Sequence, residues 1–162
     1  MPIRNARIED LPLLMDLFQK ARLFMASQGN PNQWGRTNWP PREIIEKDIE
    51  EGKSFLYEEN GVILGTFFLD FGEEIEPVYK QLDTWEHGGP YAVIHRIASN
   101  GQGHHILEKA VTLALTKAKH VRIDTHRDNR PMLGALQKLG FEYRGEVHFD
   151  HDPHDGRLAF EK

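Results

Sequence analysis

The stretch from Tyr91 to Leu107 constrains this chain more than any other. An apolar segment, Tyr91 to Ala98, runs into a polar, glycine-containing turn, and a strongly periodic helix follows. A strand that feeds a helix through a short turn is the repeating unit of a sheet covered by helices. The same arrangement makes an anion cradle. The first helical N–H groups lack intrahelical acceptors, and the helix dipole places positive potential at that end. The turn Asn100-Gly101-Gln102-Gly103 therefore suits a phosphate-bearing ligand, although glycines also open ordinary turns.

Composition narrows the classes. With 162 residues, one domain spanning 1–162 and a sizeable core are expected. The formal net charge of -5 leaves no excess of Lys and Arg to neutralise phosphates. Neither a nucleic-acid partner nor a membrane surface is expected. The chain has no Cys, which removes disulfides, thiolate metal sites and cysteine nucleophiles and fits a cytoplasmic location. The first residues, Met1-Pro2-Ile3-Arg4-Asn5-Ala6-Arg7, have no long apolar stretch, so neither a signal peptide nor a membrane span is expected.

The remaining elements follow from periodicity and breakers. Ile3 to Arg7 reads as a strand, and Asp10 as the cap of a helix from Leu11 to Ser27 that Gly29 stops. A loop holding Trp34 and Trp39 leads to a short helix opened by Pro41 and ended by Gly52. Ser54 to Glu58 and Val62 to Phe71 form a hairpin around Asn60-Gly61. Glu73 to Pro90 is an insertion or a partly helical excursion. The helix after the opening turn spans 103–119, and a strand follows from Val121 to His126. Pro131 opens a helix closed by Leu139-Gly140-Phe141, and Tyr143 to Phe149 and Leu158 to Glu161 are strands around a polar turn. The order predicts a mixed α/β domain with a central sheet flanked by helices on both faces.

That order, with residues 91–145, resembles the GNAT superfamily of acyl-CoA-dependent N-acyltransferases. Asp128-Asn129-Arg130-Pro131-Met132 followed by Leu139-Gly140-Phe141 is similar to the family's Asn-x-x-Ala … Gly-Phe segment, with Met132 in the Ala place. The family's pyrophosphate loop reads Gln/Arg-x-x-Gly-x-Gly/Ala. Gln102-Gly103-His104-His105-Ile106-Leu107 occupies it here, and His105 and Leu107 stand where the family has small residues. Small residues let a backbone approach the diphosphate closely. The family often carries a Tyr that protonates the leaving thiolate; Leu136 holds that place.

The resemblance implies an N-acetyltransferase that moves an acetyl group from acetyl-CoA, its co-substrate, to a primary amine by direct attack. It implies cofactor contacts from the 102–107 amides, Asn129, Met132, and the backbone of Ile97 and Ala98 on a central strand that splays from its parallel neighbour. A backbone N–H near Ile97 is the expected oxyanion donor. Losing a donor of that kind costs roughly 2.7–4 kcal/mol. His95 and His126 are candidate bases, because imidazole titrates near neutrality; each could instead make a structural hydrogen bond. Tyr91, Glu58 and Asp70 are weaker candidates. Trp34, Trp39 and Trp85 could line an amine pocket, with Glu73, Glu74 or Glu86 attracting a cation, or could pin long loops.

Other readings weigh less. His148, Asp150, His151, Asp152, His154 and Asp155 have metal-ligand chemistry, but Asp152-Pro153-His154-Asp155-Gly156 is turn chemistry, so no metal is expected. His87-Gly88-Gly89 lacks the nucleophile elbow of a hydrolase. The alternative from another class is a non-catalytic acyl-CoA-binding or sensor domain. The acceptor is a small-molecule or peptide amine, and an edge strand near the C-terminus could pair two copies into a homodimer.

Overall fold

The computed structural model describes residues 2–35, 38–100, 105–150 and 152–162, and of 153–155 the backbone alone. Its elements are β1 (Ile3–Asn5), α1 (Leu11–Ser27), α2 (Arg42–Glu50), β2 (Ser54–Glu59), β3 (Val62–Gly72), β4 (Tyr91–Ser99), α3 (Ile106–Ala114), β5 (Val121–His126), α4 (Arg130–Lys138), β6 (Glu142–Phe149) and β7 (Asp152–Glu161). Short 3-10 turns stand at Ile8–Asp10 and Pro77–Gln81. The seven strands form one sheet in the order β1-β2-β3-β4-β5-β7-β6. β4 and β5 pair in parallel, and the other neighbours are antiparallel.

Alternation along the strands assigns the two faces. Leu56 packs with Leu14, Phe18 and Ile45 of α1 and α2. The adjacent Tyr57 packs on the opposite face, with Ile106, Ala110 and Val111 of α3 and Leu136 of α4. Each such buried side chain is worth roughly 1.5–3 kcal/mol of transfer free energy. The β2–β3 hairpin turns on Asn60 (φ 52°) and Gly61 (φ 77°), the left-handed pair that matches strand twist.

Two departures from regular pairing build the site. The ladder between β4 and β5 covers only Ala92–Val121 and Val93–Arg122. From Ile94 and Ile123 onward the strands run without ladder pairs and leave a gap in mid-sheet. On the other edge of β4, Phe68 pairs with His95 and Thr66 with Ala98, so β4 carries one extra residue. Arg96 in this bulge has φ 48°. A bulge reverses the facing of all residues beyond it. Ala92 and Ile94 accordingly pack toward α3, whereas Ala98 packs toward α1.

Several boundaries differ from the sequence reading, most by a single residue. Asp10 does not cap α1, because the chain is already helical there. Its carboxylate closes the preceding turn, accepting the Arg7 N–H at 2.7 Å and both Arg4 guanidinium nitrogens at 2.9 and 3.0 Å. β1 ends at Asn5 rather than Arg7. The helix expected over 103–119 spans Ile106–Ala114. After Ala114 the Thr116 and Lys117 N–H groups reach back three residues, to Leu113 and Ala114, and the Thr116 hydroxyl also bonds the Leu113 carbonyl, which tightens the chain into a turn. The last hairpin is tighter than expected: Phe149 pairs with Asp152, so 152–156 belong to β7 rather than to the turn. No helix of the described residues is long and apolar enough to cross a membrane.

Candidate active site

Two cavities meet at the gap between β4 and β5. One, of about 330 Å³, is lined by Trp34, Trp39, Phe68, Glu76, His95, Asp124 and neighbours. The other, of about 450 Å³, runs along Phe24 of α1, Ala98 of β4, Ile106 and Leu107 of α3, and Pro131 and Ala135 of α4. Met25, Ile97, Asn129 and Met132 line both.

His95 is the most densely engaged group. Its Nε2 lies 2.8 Å from Glu76 Oε2, its Nδ1 3.8 Å from Asp124 Oδ2, and its ring stacks on Phe68 at 5.7 Å. Tyr79, almost fully buried, donates its hydroxyl to Asp124 Oδ2 at 2.7 Å. Burial pushes the Asp124 carboxyl above its ordinary range, against the pull of His95 and Tyr79. Burial also raises Glu76, but the hydrogen bond and charge of His95 outweigh it and hold that carboxyl below its ordinary range. Tyr79 is raised well above the ordinary phenol value by burial and by Asp124.

Arg96 follows His95 directly yet lines the same cavity. Its guanidinium lies 4.4 Å over the Phe68 ring and makes two bonds to the Asp48 carboxylate of α2, at 2.8 and 3.0 Å. Burial pushes the Asp48 carboxyl up while Arg96 draws it down, with a net rise.

Asn129 caps α4 by accepting the Met132 N–H at 3.3 Å. Its Nδ2 donates to Gln33 Oε1 at 3.1 Å, and that oxygen also receives Asn30 Nδ2 at 2.9 Å. The Gln33 carbonyl accepts Arg157 Nη2 at 2.9 Å. The tryptophan loop is thus tied to the N-terminus of α4 through buried amides.

The structure gathers some of the predicted residues and separates others. Ile97, Asn129 and Met132 stand at the junction, with His95, Trp34 and Trp39 in the smaller cavity and Ala98, His105, Ile106 and Leu107 along the larger. Gln102, Gly103 and His104 lie outside the described residues. His126 lines neither cavity; it is buried, and its Nδ1 accepts the Asp128 N–H at 3.1 Å at the turn into α4. Trp85 also stands away from the gap. Its indole N–H donates to the Tyr79 carbonyl at 2.8 Å and its ring covers Arg122 at 4.1 Å, so it pins the insertion to the sheet. Glu58 pairs with Arg4, Asp70 with Lys53, Glu74 with Lys80 and Glu86 with Arg144. The Tyr91 hydroxyl accepts the Glu76 N–H. Leu136 is fully buried in the α3–α4 core, so position 136 supplies no proton donor. Asp152 is buried 3.6 Å from Arg157, and among the described residues no group of three or more His, Cys, Asp or Glu could hold a metal.

Glu76, Asp124, Tyr79, Asp48 and Gln33 escaped the sequence reading. Asp124 left a signal: a central strand buried on both faces reads as a continuous apolar run, yet β5 alternates Arg122, Asp124 and His126 with apolar residues and Thr125. Glu76 and Tyr79 sit in the insertion, where periodicity says nothing.

The larger cavity suits a mostly apolar ligand arm. Its walls are largely apolar; Lys20, paired with Asp16 at 2.9 Å, is part of the lining, and α3 begins beside it. His105 adopts φ 55°, the left-handed conformation that favours the small residue expected there, and its side chain is 76% exposed. Leu107 is buried in the core.

Comparison with known proteins agrees with this geometry. The model of the acetyltransferase (GNAT) family matches residues 14–141. A GNAT-family acetyltransferase from Streptococcus agalactiae 2603 is 30% identical with a TM-score of 0.84, covering 99% of this chain and 93% of its own. One from Listeria monocytogenes 4b F2365 is 19% identical with a TM-score of 0.70, over 99% and 92% of the two chains. NAA60 of Arabidopsis thaliana, in complex with a bisubstrate analogue, shares the fold at 10% identity with a TM-score of 0.68, over 99% and 95%. No curated protein matches the sequence. A seven-stranded sheet parted between β4 and β5, a bulge on β4, and a family match over most of the length lead to one assignment: the chain belongs to the GNAT family of acetyltransferases.

Proposed function

We propose that the chain transfers the acetyl group of acetyl-CoA to a primary amine, by direct attack of the amine nitrogen on the thioester carbonyl. The observation that carries this reading is the meeting of two cavities at Ile97, Asn129 and Met132. One is shaped for the apolar arm of the co-substrate, and the other holds aromatic rings and a histidine between two carboxylates.

In this reading the backbone of Ile97 and Ala98, with Met132, Ile106 and Leu107, lines the path of the pantetheine arm. The amides of 102–107 hold the diphosphate. Asn129 acts through its cap and its tie to Gln33. His95 takes the proton of the attacking amine, with Glu76 and Asp124 fixing its ring. The Ile97 N–H stabilises the oxyanion, the C–S bond breaks, and solvent supplies the proton that the thiolate takes up in the absence of a Tyr at 136. Trp34 and Trp39 pack against the acceptor. A cytoplasmic location and action without a metal complete the reading.

Calorimetry with acetyl-CoA, followed by a thiol-reactive dye in the presence of amines, tests it. The chain has no Cys, so the dye reads free CoA alone. Binding with amine-dependent CoA release is expected. Binding without release from any amine points to the sensor alternative, and no binding of acetyl-CoA or CoA overturns both.

A further inference from the structure

We infer that the acceptor is a monoamine with an apolar body, and not a diamine or polyamine. This deepens the proposed transfer to an amine and rests on that reading for the chemistry, but not for the binding.

Among the described residues four carboxylates line the smaller cavity, and the three buried or half-buried ones, Asp48, Glu76 and Asp124, already have close partners within the protein, whereas Glu51 is exposed to solvent. Asp48 is held by Arg96 at 2.8 and 3.0 Å, Glu51 stands 3.7 Å from Lys53, Glu76 lies 2.8 Å from His95, and Asp124 accepts the Tyr79 hydroxyl at 2.7 Å. Burial also holds Asp124 toward its neutral form. Three cations, Lys47, Arg96 and Arg157, share the lining. A second ammonium buried in the cavity would give up its hydration and find the anions at depth already committed; Glu51, the remaining one, lies in solvent beside Lys53. Unpaired ammonium burial costs several kcal/mol, whereas an aromatic face returns about 0.5–2 kcal/mol. One such face is already taken, since Arg96 lies over Phe68. The apolar part of the wall, with Met25, Ile44, Trp34, Trp39 and Phe149, favours an alkyl or aryl body.

Hexylamine and cadaverine test this directly, because they have equal length and differ only in the far-end charge. Each is titrated calorimetrically into the protein with CoA bound, and each is assayed for acetylation by acetyl-CoA. Hexylamine is expected to bind, and to react by kcat/KM, about tenfold or more better than cadaverine. Trp39→Ala is expected to weaken hexylamine binding several-fold while acetyl-CoA still binds, which reports an intact fold. Equal or tighter binding of cadaverine, or no binding of either amine, overturns the inference. Selective hexylamine binding without acetyl transfer upholds the inference and overturns the proposed function instead.

Discussion

His95 and Arg96 are consecutive residues that meet the same ring: the imidazole stacks on Phe68 at 5.7 Å and the guanidinium lies 4.4 Å over it. A regular strand would send them to opposite faces. The bulge in β4, with Arg96 at φ 48°, turns both into one cavity. Such a conformation costs about 1–3 kcal/mol in a residue with a side chain. The two bonds from Arg96 to the buried Asp48 carboxylate offset it and tie the bulge to α2.

Asp48→Ala should therefore be costly. It strands a guanidinium that is only 15% exposed, and removing one partner of a buried pair destabilises by about 3–5 kcal/mol. Arg96→Gly relieves the backbone but leaves Asp48 buried and unpaired. The double variant Asp48→Ala with Arg96→Gly should recover much of either loss. Urea unfolding of the four proteins gives the coupling energy; additive losses contradict the role assigned to the pair.

The fold was largely legible because its elements announce themselves locally. The Asn60-Gly61 turn, the α1 stripe of Leu14, Leu17, Phe18 and Ala21, and the opening and stop of α4 at Pro131 and Gly140 are short-range signals. The bulge was not legible, since its cause is a partner in α2 far along the chain. Glu76 is placed against His95 by an insertion with no periodicity, and Trp85, equally conspicuous in sequence, proved to be an anchor. Residue type named candidates, and only long-range packing separated His95 from His126.

Substituting His95 should divide chemistry from binding. His95→Gln is expected to lower kcat by about 10²–10⁴ with little change in the acetyl-CoA dissociation constant. Glu76→Gln should lower kcat less, because it loosens the ring without removing it. Steady-state kinetics with calorimetry separates the two effects. Wild-type turnover in His95→Gln would mean that the amine's proton leaves by another route.

The two carboxylates beside His95 should shift stability with pH in opposite directions. Asp124 has a raised folded value, so it stabilises the fold fully below the ordinary 3.8 and loses that contribution as pH rises through the raised value. Asp124→Asn, always neutral, should match the wild type in acid and gain on it as pH climbs. Glu76 has a lowered folded value, so its contribution is present above the ordinary 4.5 and lost as pH falls. Glu76→Gln should be less stable at neutral pH and close the gap in acid. Melting temperatures across pH check both signs, and parallel curves for the two variants would contradict the assigned environments.

The loop proposed to hold the co-substrate offers a sharper test once its two unusual residues are separated. His105 sits at φ 55° with its side chain in solvent, whereas Leu107 is 8% exposed and packed in the α3–α4 core. A left-handed conformation costs a residue with a side chain roughly 1–2 kcal/mol relative to a right-handed one, and glycine avoids this. His105→Gly should therefore raise stability by up to about 1 kcal/mol and preserve or tighten CoA binding. Leu107→Gly should do the reverse, losing about 2–5 kcal/mol through the cavity it leaves. The two must be made singly, because the core loss in a double variant hides any gain at 105. Urea unfolding and CoA calorimetry on each separate the effects. A large loss of CoA binding in His105→Gly, with stability unchanged, would show that the imidazole itself holds the co-substrate.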